Sequence, residues 1–152
     1  MQTATTSAAI ETLNDLVAIH NDRIAGYENA IDELKNENSD LKPLFENLID
    51  ESRKIRVDLA GEVRSLGGEV ETGTTFGGKL YRAWMDVKTV FTGKDRHAVL
   101  ANCERGEDAA QDAYKSALKE DLPGYIRTML ETQQRTLKNA HDQIRNLRDA
   151  SK

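Results

Sequence analysis

The chain has 152 residues, a length that suits one domain able to bury a core of its own. Only 5% of the residues are aromatic and two are proline, while 31% are charged, a composition that favours helices over a β-sandwich or a barrel. The net charge of −5, with acidic and basic residues mixed along the chain, argues against nucleic-acid binding, and the lack of about 18 consecutive apolar residues argues against a membrane-spanning helix.

The first predicted helix spans residues 8–37, with Ser7 as its N-cap. Apolar residues in this segment recur at alternating spacings of three and four, which places them on one face of a helix. The same face carries His20 and Tyr27. The full stripe is Ile10, Leu13, Val17, His20, Ile24, Tyr27, Ile31 and Leu34.

The second predicted helix spans residues 41–66 and ends at Gly67 and Gly68. A long connection, residues 67–94, follows it and contains an amphipathic segment around Trp84 that is predicted to form a short helix. The stripe of the second helix is Leu41, Phe45, Leu48, Ser52, Ile55, Leu59, Val63 and Leu66.

The third and fourth predicted helices span residues 95–120 and 123–149. Their apolar faces again repeat at helical spacing, but each includes a residue that is not apolar, Glu107 in the third helix and Gln133 in the fourth. The stripes are Cys103, Glu107, Ala110, Tyr114 and Ala117, and then Ile126, Leu130, Gln133, Leu137, Ala140 and Ile144.

The lengths of the connections predict how the helices are arranged. Short connections between helices one and two and between three and four favour two antiparallel hairpins. The connection at 67–94 is long enough to travel the length of the bundle, so we expect the third helix to begin at the end where the first begins. One long crossover between two hairpins is the ferritin-like topology. The sequence therefore predicts a single-domain, all-α, ferritin-like four-helix bundle over residues 1–152.

Three positions on the predicted core faces carry polar side chains: His20, Glu107 and Gln133. A buried ionisable or amide group is costly unless it is hydrogen-bonded or binds a metal, so each needs a partner. All three lie near the middle of their helices, which places them in one layer of an antiparallel bundle. We therefore expect them to meet.

One hypothesis for this layer is a metal centre. A di-iron or di-manganese bundle takes one Glu from each of two helices and Glu-x-x-His from each of the other two. The paired positions here begin at Glu51 and Glu131, but Lys54 and Gln134 stand where the template has histidine. This degenerate site would bind iron or manganese through His20, Glu51, Glu107 and Glu131, and a single-metal version would use His20, Glu107 and Glu131.

The other hypothesis is a hydrogen-bonded polar layer without a cofactor. Its centre is the Glu107 carboxylate, which would accept from Tyr27, His20 or Lys54. The hydroxyl of Tyr114 and the amide of Gln133 would be further partners. Layers of this kind set the register between helices at some cost in stability.

The remaining histidines and the cysteine give weaker signals. Cys103 is on the buried face of the third helix and has no histidine spaced to activate it, so we interpret it as a small buried residue rather than a nucleophile. His141 lies beside the stripe residue Ala140, and His97 falls in the first turn of the third helix. Neither histidine is predicted to be a metal ligand.

The stretch CERGED at residues 103–108, followed by Tyr114 and Leu118, resembles a family of small bacterial four-helix-bundle proteins. That family is placed in the ferritin-like superfamily and is known mainly as a domain of unknown function. The likeness covers nearly the whole chain and implies a ferritin-like bundle and a bacterial source, without an established activity. The chain departs from the ferritin pattern at both Glu-x-x-His motifs, which argues against iron oxidation.

Two functions follow from these patterns. The first is a non-catalytic structural, stress-associated or interaction module with a polar core layer, which we expect to form a homo-oligomer and to bind neither nucleic acid nor a membrane. The second is a divergent iron- or manganese-binding protein. Because residues 1–5 lack both a basic segment and an apolar core for export, we expect a cytoplasmic location.

Overall fold

A computed structural model describes most of the chain. The described residues are 4–32, 34, 38–73 and 96–151. The segment around Trp84, predicted to form a short helix in the crossover, lies outside them. No residue in these ranges is part of a β-strand.

The described residues form four helices: α1 (Ala4–Asp32), α2 (Leu41–Ser65), α3 (Arg96–Ala117) and α4 (Gly124–Ala150). None of them is both long and apolar enough to cross a membrane. The fold is an all-α, ferritin-like four-helix bundle.

Two helices end earlier than the sequence pattern indicates. α1 stops at Asp32 rather than near residue 37, because the Leu34 N–H donates to the Ile31 carbonyl at 3.2 Å and tightens the chain into a turn. α3 stops at Ala117 rather than near 120, where the Glu120 N–H bonds to the Ala117 carbonyl in the same way. The apolar spacing of three and four residues continues past both helix ends, so it does not predict these turns.

The end of α2 follows from its glycines. Gly67 has φ 87°, a left-handed conformation that glycine adopts without a steric penalty. Its N–H donates to the Arg64 carbonyl and the Gly68 N–H to the Val63 carbonyl, both at 2.9 Å. This paired arrangement satisfies the last carbonyls of the helix.

Contacts along the helices give their directions. Tyr27, late in α1, packs on Phe45, early in α2, with ring centroids 5.1 Å apart. The Asn14 side chain, early in α1, donates to the Glu69 carbonyl just beyond α2 at 2.8 Å. α1 and α2 are therefore antiparallel. α3 and α4 are antiparallel as well, as contacts between their opposite ends show, such as that from His97 to the Arg148 carbonyl.

The start of α3 corrects the predicted topology at one point. Arg96, the first residue of α3, pairs with Asp40, the residue before α2, at 2.9 Å. α3 thus begins where α2 begins and where α1 ends, not where α1 begins. The physical reason is simple: α2 ends beside the start of α1, so a connection that travels the whole bundle arrives at the opposite end.

The core lies between the four helices and is apolar along most of its length. Cys103 is fully buried in it. The largest apolar side chains with at most 1% exposure are Leu13, Leu16, Tyr27, Phe45, Leu59, Leu100, Tyr114, Ile126, Leu130 and Leu137. A layer of polar side chains interrupts this core halfway along the bundle.

Candidate functional site

A fully buried arginine, Arg23 of α1, stands at the centre of the polar layer. Its Nε and Nη2 atoms donate to Glu107 Oε2 of α3 at 3.1 and 3.0 Å. Glu107 is also fully buried. A charge taken out of water is costly unless a counter-charge and hydrogen bonds compensate it. Here Arg23 supplies the counter-charge and the donors for Glu107, and Glu107 supplies the counter-charge and the acceptor for Arg23.

The other side of the Arg23 guanidinium is held by α2. Nη1 donates to Ser52 Oγ at 2.8 Å and lies 3.4 Å from the Leu48 carbonyl, and Nη2 lies 3.1 Å from Glu51 Oε1. Burial alone lowers the pKa of Arg23, but Glu107 and other neighbouring groups raise it above its ordinary value. Arg23 therefore stays charged and links α1, α2 and α3.

Glu107 accepts its hydrogen bonds through one oxygen, Oε2. Besides Arg23, the Tyr27 hydroxyl donates to Oε2 at 2.5 Å. Glu107 Oε1 is buried and has no hydrogen-bond partner among the described residues. Burial and the neighbouring Glu107 raise the pKa of Tyr27 and of the Cys103 thiol, so both stay protonated. A protonated buried thiol is inert, consistent with the interpretation of Cys103 as a packing residue.

A second branch of the layer runs through His20. Its Nδ1 is 2.9 Å from Ser52 Oγ and its Nε2 is 2.8 Å from the Tyr114 hydroxyl. The Tyr114 hydroxyl donates its single proton to Gln133 Oε1 at 2.8 Å, so it must accept from His20 Nε2. Nδ1 then accepts from Ser52, whose oxygen accepts in turn from Arg23.

The hydrogen bonds of this branch therefore all point one way, from Arg23 through Ser52, His20 and Tyr114 to Gln133. The chain crosses all four helices and requires His20 to be neutral. Burial, together with the positive charges of Arg23 and Arg56, lowers the pKa of His20 to about 3. The electrostatics and the hydrogen-bond geometry thus agree on one protonation state.

Removing the Tyr114 hydroxyl tests this chain. Tyr114→Phe is expected to lower the free energy of unfolding by about 1–3 kcal/mol, because it leaves the His20 N–H and a Gln133 oxygen buried without their partner. Urea denaturation at neutral pH measures the loss. The exposed Tyr125 is the matched control, and Tyr125→Phe should change stability by less than about 0.5 kcal/mol. Equal, small effects of the two substitutions would contradict the chain.

The structure brings together most of the residues predicted for the layer. His20, Tyr27, Glu107, Tyr114 and Gln133 all join it, and Glu51 reaches it from α2 with part of its side chain exposed. Burial raises the pKa of Glu51, although Arg23 opposes this effect.

Two predicted partners lie elsewhere. Glu131 is on the exposed face of α4, because its neighbours Leu130 and Gln133 take the inward positions of that turn. Lys54 is exposed on α2 and does not reach Glu107. His20 bonds to Ser52 and Tyr114 rather than to Glu107.

Sequence reasoning missed Arg23, although a signal was present. Arg23 lies three residues after His20 and four before Tyr27, so it fits the core stripe of α1 as well as Ile24 does. An arginine on a core face in a chain that also buries a glutamate is a candidate for an internal ion pair. Both Arg23 and Ile24 prove to be buried.

The layer does not fit a di-metal centre. The Arg23 guanidinium occupies the space between the Glu107 and Glu51 carboxylates, and both nitrogens of His20 are already engaged. Within the described ranges, the only three His, Cys, Asp or Glu side chains with ligand atoms within 4.8 Å of one another are Glu104, Asp108 and His141. These three belong to a separate cluster between α3 and α4.

Comparisons with known proteins agree with this fold. A family model described as "Domain of unknown function (DUF2383)" matches residues 8–120. A solved structure titled "Crystal structure of ferritin like, diiron-carboxylate proteins from Bacillus anthracis str. Ames" matches with a TM-score of 0.71 and 17% identity, over 99% of this chain and 100% of that one. None of the curated proteins matches. At this identity the structural likeness concerns the fold alone. Because the family model spans most of the sequence, this chain belongs to the DUF2383 family of ferritin-like domains of unknown function.

Proposed function

We propose that this protein is a non-catalytic structural or interaction module, in which Arg23 supplies the positive charge that metal ions supply in a metal-binding bundle of this fold. The observation that carries the proposal is the fully buried ion pair between Arg23 and Glu107, with Arg23 Nη2 also 3.1 Å from Glu51. The charge of the buried Glu107 carboxylate is thereby neutralised without a cofactor.

The available donor atoms support this proposal. A dinuclear centre of this fold takes four carboxylates and two imidazoles. The layer contributes the carboxylates of Glu107 and Glu51 and one imidazole, His20, whose Nε2 is protonated and whose Nδ1 accepts from Ser52. A metal would have to displace Arg23 and break the hydrogen bonds of His20.

The burial of the reactive groups also supports a role without catalysis. Glu107, His20 and Cys103 are all fully buried, so a substrate has no approach to them in this conformation. Glu51 is the member of the layer that faces solvent, in a groove of about 790 Å³ between α2 and α4. The buried polar chain sets the register of the four helices, and the function then belongs to the outer surface.

A second candidate is a divergent iron- or manganese-binding core that uses His20, Glu51 and Glu107. Two observations favour it. The structural neighbour is titled a diiron-carboxylate protein, and Glu107 Oε1 is buried without a hydrogen bond among the described residues. For this candidate, Arg23 would have to move away from Glu107 when metal binds.

Substitution of Glu107 separates the two candidates. Metal content is measured by elemental mass spectrometry on untagged protein from cells supplied with iron and manganese, for wild type, Glu107→Gln and the exposed control Glu131→Gln. We expect the same metal content in all three, because the Glu107 carboxylate is held by Arg23 and not by a cation. Near-stoichiometric iron or manganese that disappears in Glu107→Gln alone would overturn the proposal in favour of the second candidate.

The predicted homo-oligomer, the cytoplasmic location and the stress association stay predictions. The mass in solution, measured by light scattering after gel filtration, tests the first of these.

A further inference from the structure

A second polar cluster, separate from the core layer, lies between α3 and α4. Glu104 and Asp108 are one helical turn apart on α3, and His141 faces them from α4. His141 Nε2 lies 2.7 Å from Asp108 Oδ1 and 3.5 Å from Glu104 Oε2. Glu107 lies between the two acids in sequence but faces the core, so the two clusters use different faces of α3.

Both ring nitrogens of His141 face carboxylates. Nε2 faces Glu104 and Asp108, while Nδ1 lies 3.0 Å from Asp142 Oδ1. A neutral imidazole has only one N–H, so one nitrogen would present its lone pair to a negative oxygen. Only a second proton or a cation relieves this repulsion. When Nδ1 donates to Asp142, the position to be filled is the one between Nε2 and the two acids of α3.

The neighbours of the cluster hold the ligand atoms in place. Arg148 binds Glu104 Oε1, which leaves the other oxygen, Oε2, on the side of His141. Asp142 holds the ring through Nδ1, and Lys138 in turn binds Asp142 at 3.0 Å. A carboxylate behind a histidine orients the ring and raises the basicity of its other nitrogen, as in the second shell of metal sites.

We propose that Glu104, Asp108 and His141 bind one divalent transition-metal cation, which His141 Nε2 coordinates and which joins α3 to α4. One imidazole and two carboxylates form a donor set that suits Zn²⁺, Fe²⁺ or Mn²⁺, and Zn²⁺ is the tightest of the three by the usual affinity order. Glu104 and His141 are largely buried, whereas Asp108 is 57% exposed and leaves an open side for the ion and its waters.

Calorimetric titration of untagged wild-type protein with Zn²⁺ alone tests the site. We expect one equivalent to bind, with affinity reduced at least about tenfold in Asp108→Asn and in His141→Ala, since each loses a ligand. Asp142→Asn should weaken binding about tenfold by releasing the ring. Asp112→Asn is the matched control, since it removes the same charge from an exposed position one turn along α3, and it should bind as wild type does.

Three results would overturn the site: no saturable binding by wild type, unchanged binding in His141→Ala, or an equal loss in Asp108→Asn and Asp112→Asn. The last would indicate charge attraction without coordination. At a fixed concentration, Zn²⁺ should also raise the melting temperature of wild type more than that of Asp108→Asn, an exposed substitution that we expect to fold as wild type does. Because Glu107 is not a ligand here, Glu107→Gln should bind Zn²⁺ as wild type does. The proposal of this site and the proposal of a metal-free core can therefore be disproved independently.

Discussion

Replacing Arg23 with methionine is expected to lower the free energy of unfolding by about 3–5 kcal/mol, because it leaves the buried Glu107 carboxylate without its counter-charge. The substitution also removes the donors to Ser52 and Leu48, so two further acceptors on α2 lose a partner. Chemical denaturation at neutral pH, followed by circular dichroism, measures the loss.

Two companion variants decide what that loss means. Arg53→Met removes an arginine whose side chain is 50% exposed and paired with Glu28 and Asp50, so it should cost less than about 1 kcal/mol. The double variant Arg23→Met with Glu107→Met should be more stable than Arg23→Met alone, because no unpaired charge then remains in the core. Additive losses in the double variant would show that the two groups do not form a coupled pair.

Acidification is expected to destabilise the protein through His20. Its pKa is lowered by burial from 6.5 in the unfolded chain to about 3 in the folded state. Between these values the unfolded chain binds a proton that the folded chain does not. Stability is therefore fully present above about pH 6.5 and falls as the pH drops, by about 1.4 kcal/mol for each pH unit. At pH 5 the loss from this residue is roughly 2 kcal/mol.

The measurement is a series of urea denaturations between about pH 7 and pH 5, compared with His20→Gln, which cannot titrate at this position. Other groups also titrate in or near this range. Burial raises the pKa of Asp15 and of Glu51, an effect that disfavours the folded state as the pH rises and so has the opposite sign. Both carboxyls are present in the variant, so the difference between the two curves isolates His20. Parallel curves would mean that the pKa of His20 is the same in the folded and unfolded states, which would contradict this prediction.

These two predictions concern one physical object, a charged and hydrogen-bonded chain enclosed by apolar side chains. The fold is shared with a protein titled as a diiron-carboxylate protein, yet here a guanidinium stands between the carboxylates. A covalently attached cation cannot be lost or exchanged, whereas a metal ion can. Our proposal is that this protein keeps the architecture of a metal-binding bundle while its register depends on a side chain.

Much of the fold was predictable because helices repeat. Spacings of three and four marked the inward faces of all four helices, and Gly67 marked the end of α2. The same periodicity identified His20, Glu107 and Gln133 as polar residues on inward faces, and a buried polar group must find a partner. The existence of a polar layer therefore followed from the sequence alone.

Which side chains meet in that layer was decided by the tertiary structure. Periodicity locates a face only to within about one residue on a helix of 3.6 residues per turn, so it did not separate Arg23 from Ile24, nor place Glu131 outside. It also carries no information on the axial offset between helices. That offset brings Arg23 to Glu107, and it brings His141 to Glu104 and Asp108 across α3 and α4. Each pair joins residues distant in sequence, so packing of the helices, rather than any local pattern, chose the partners.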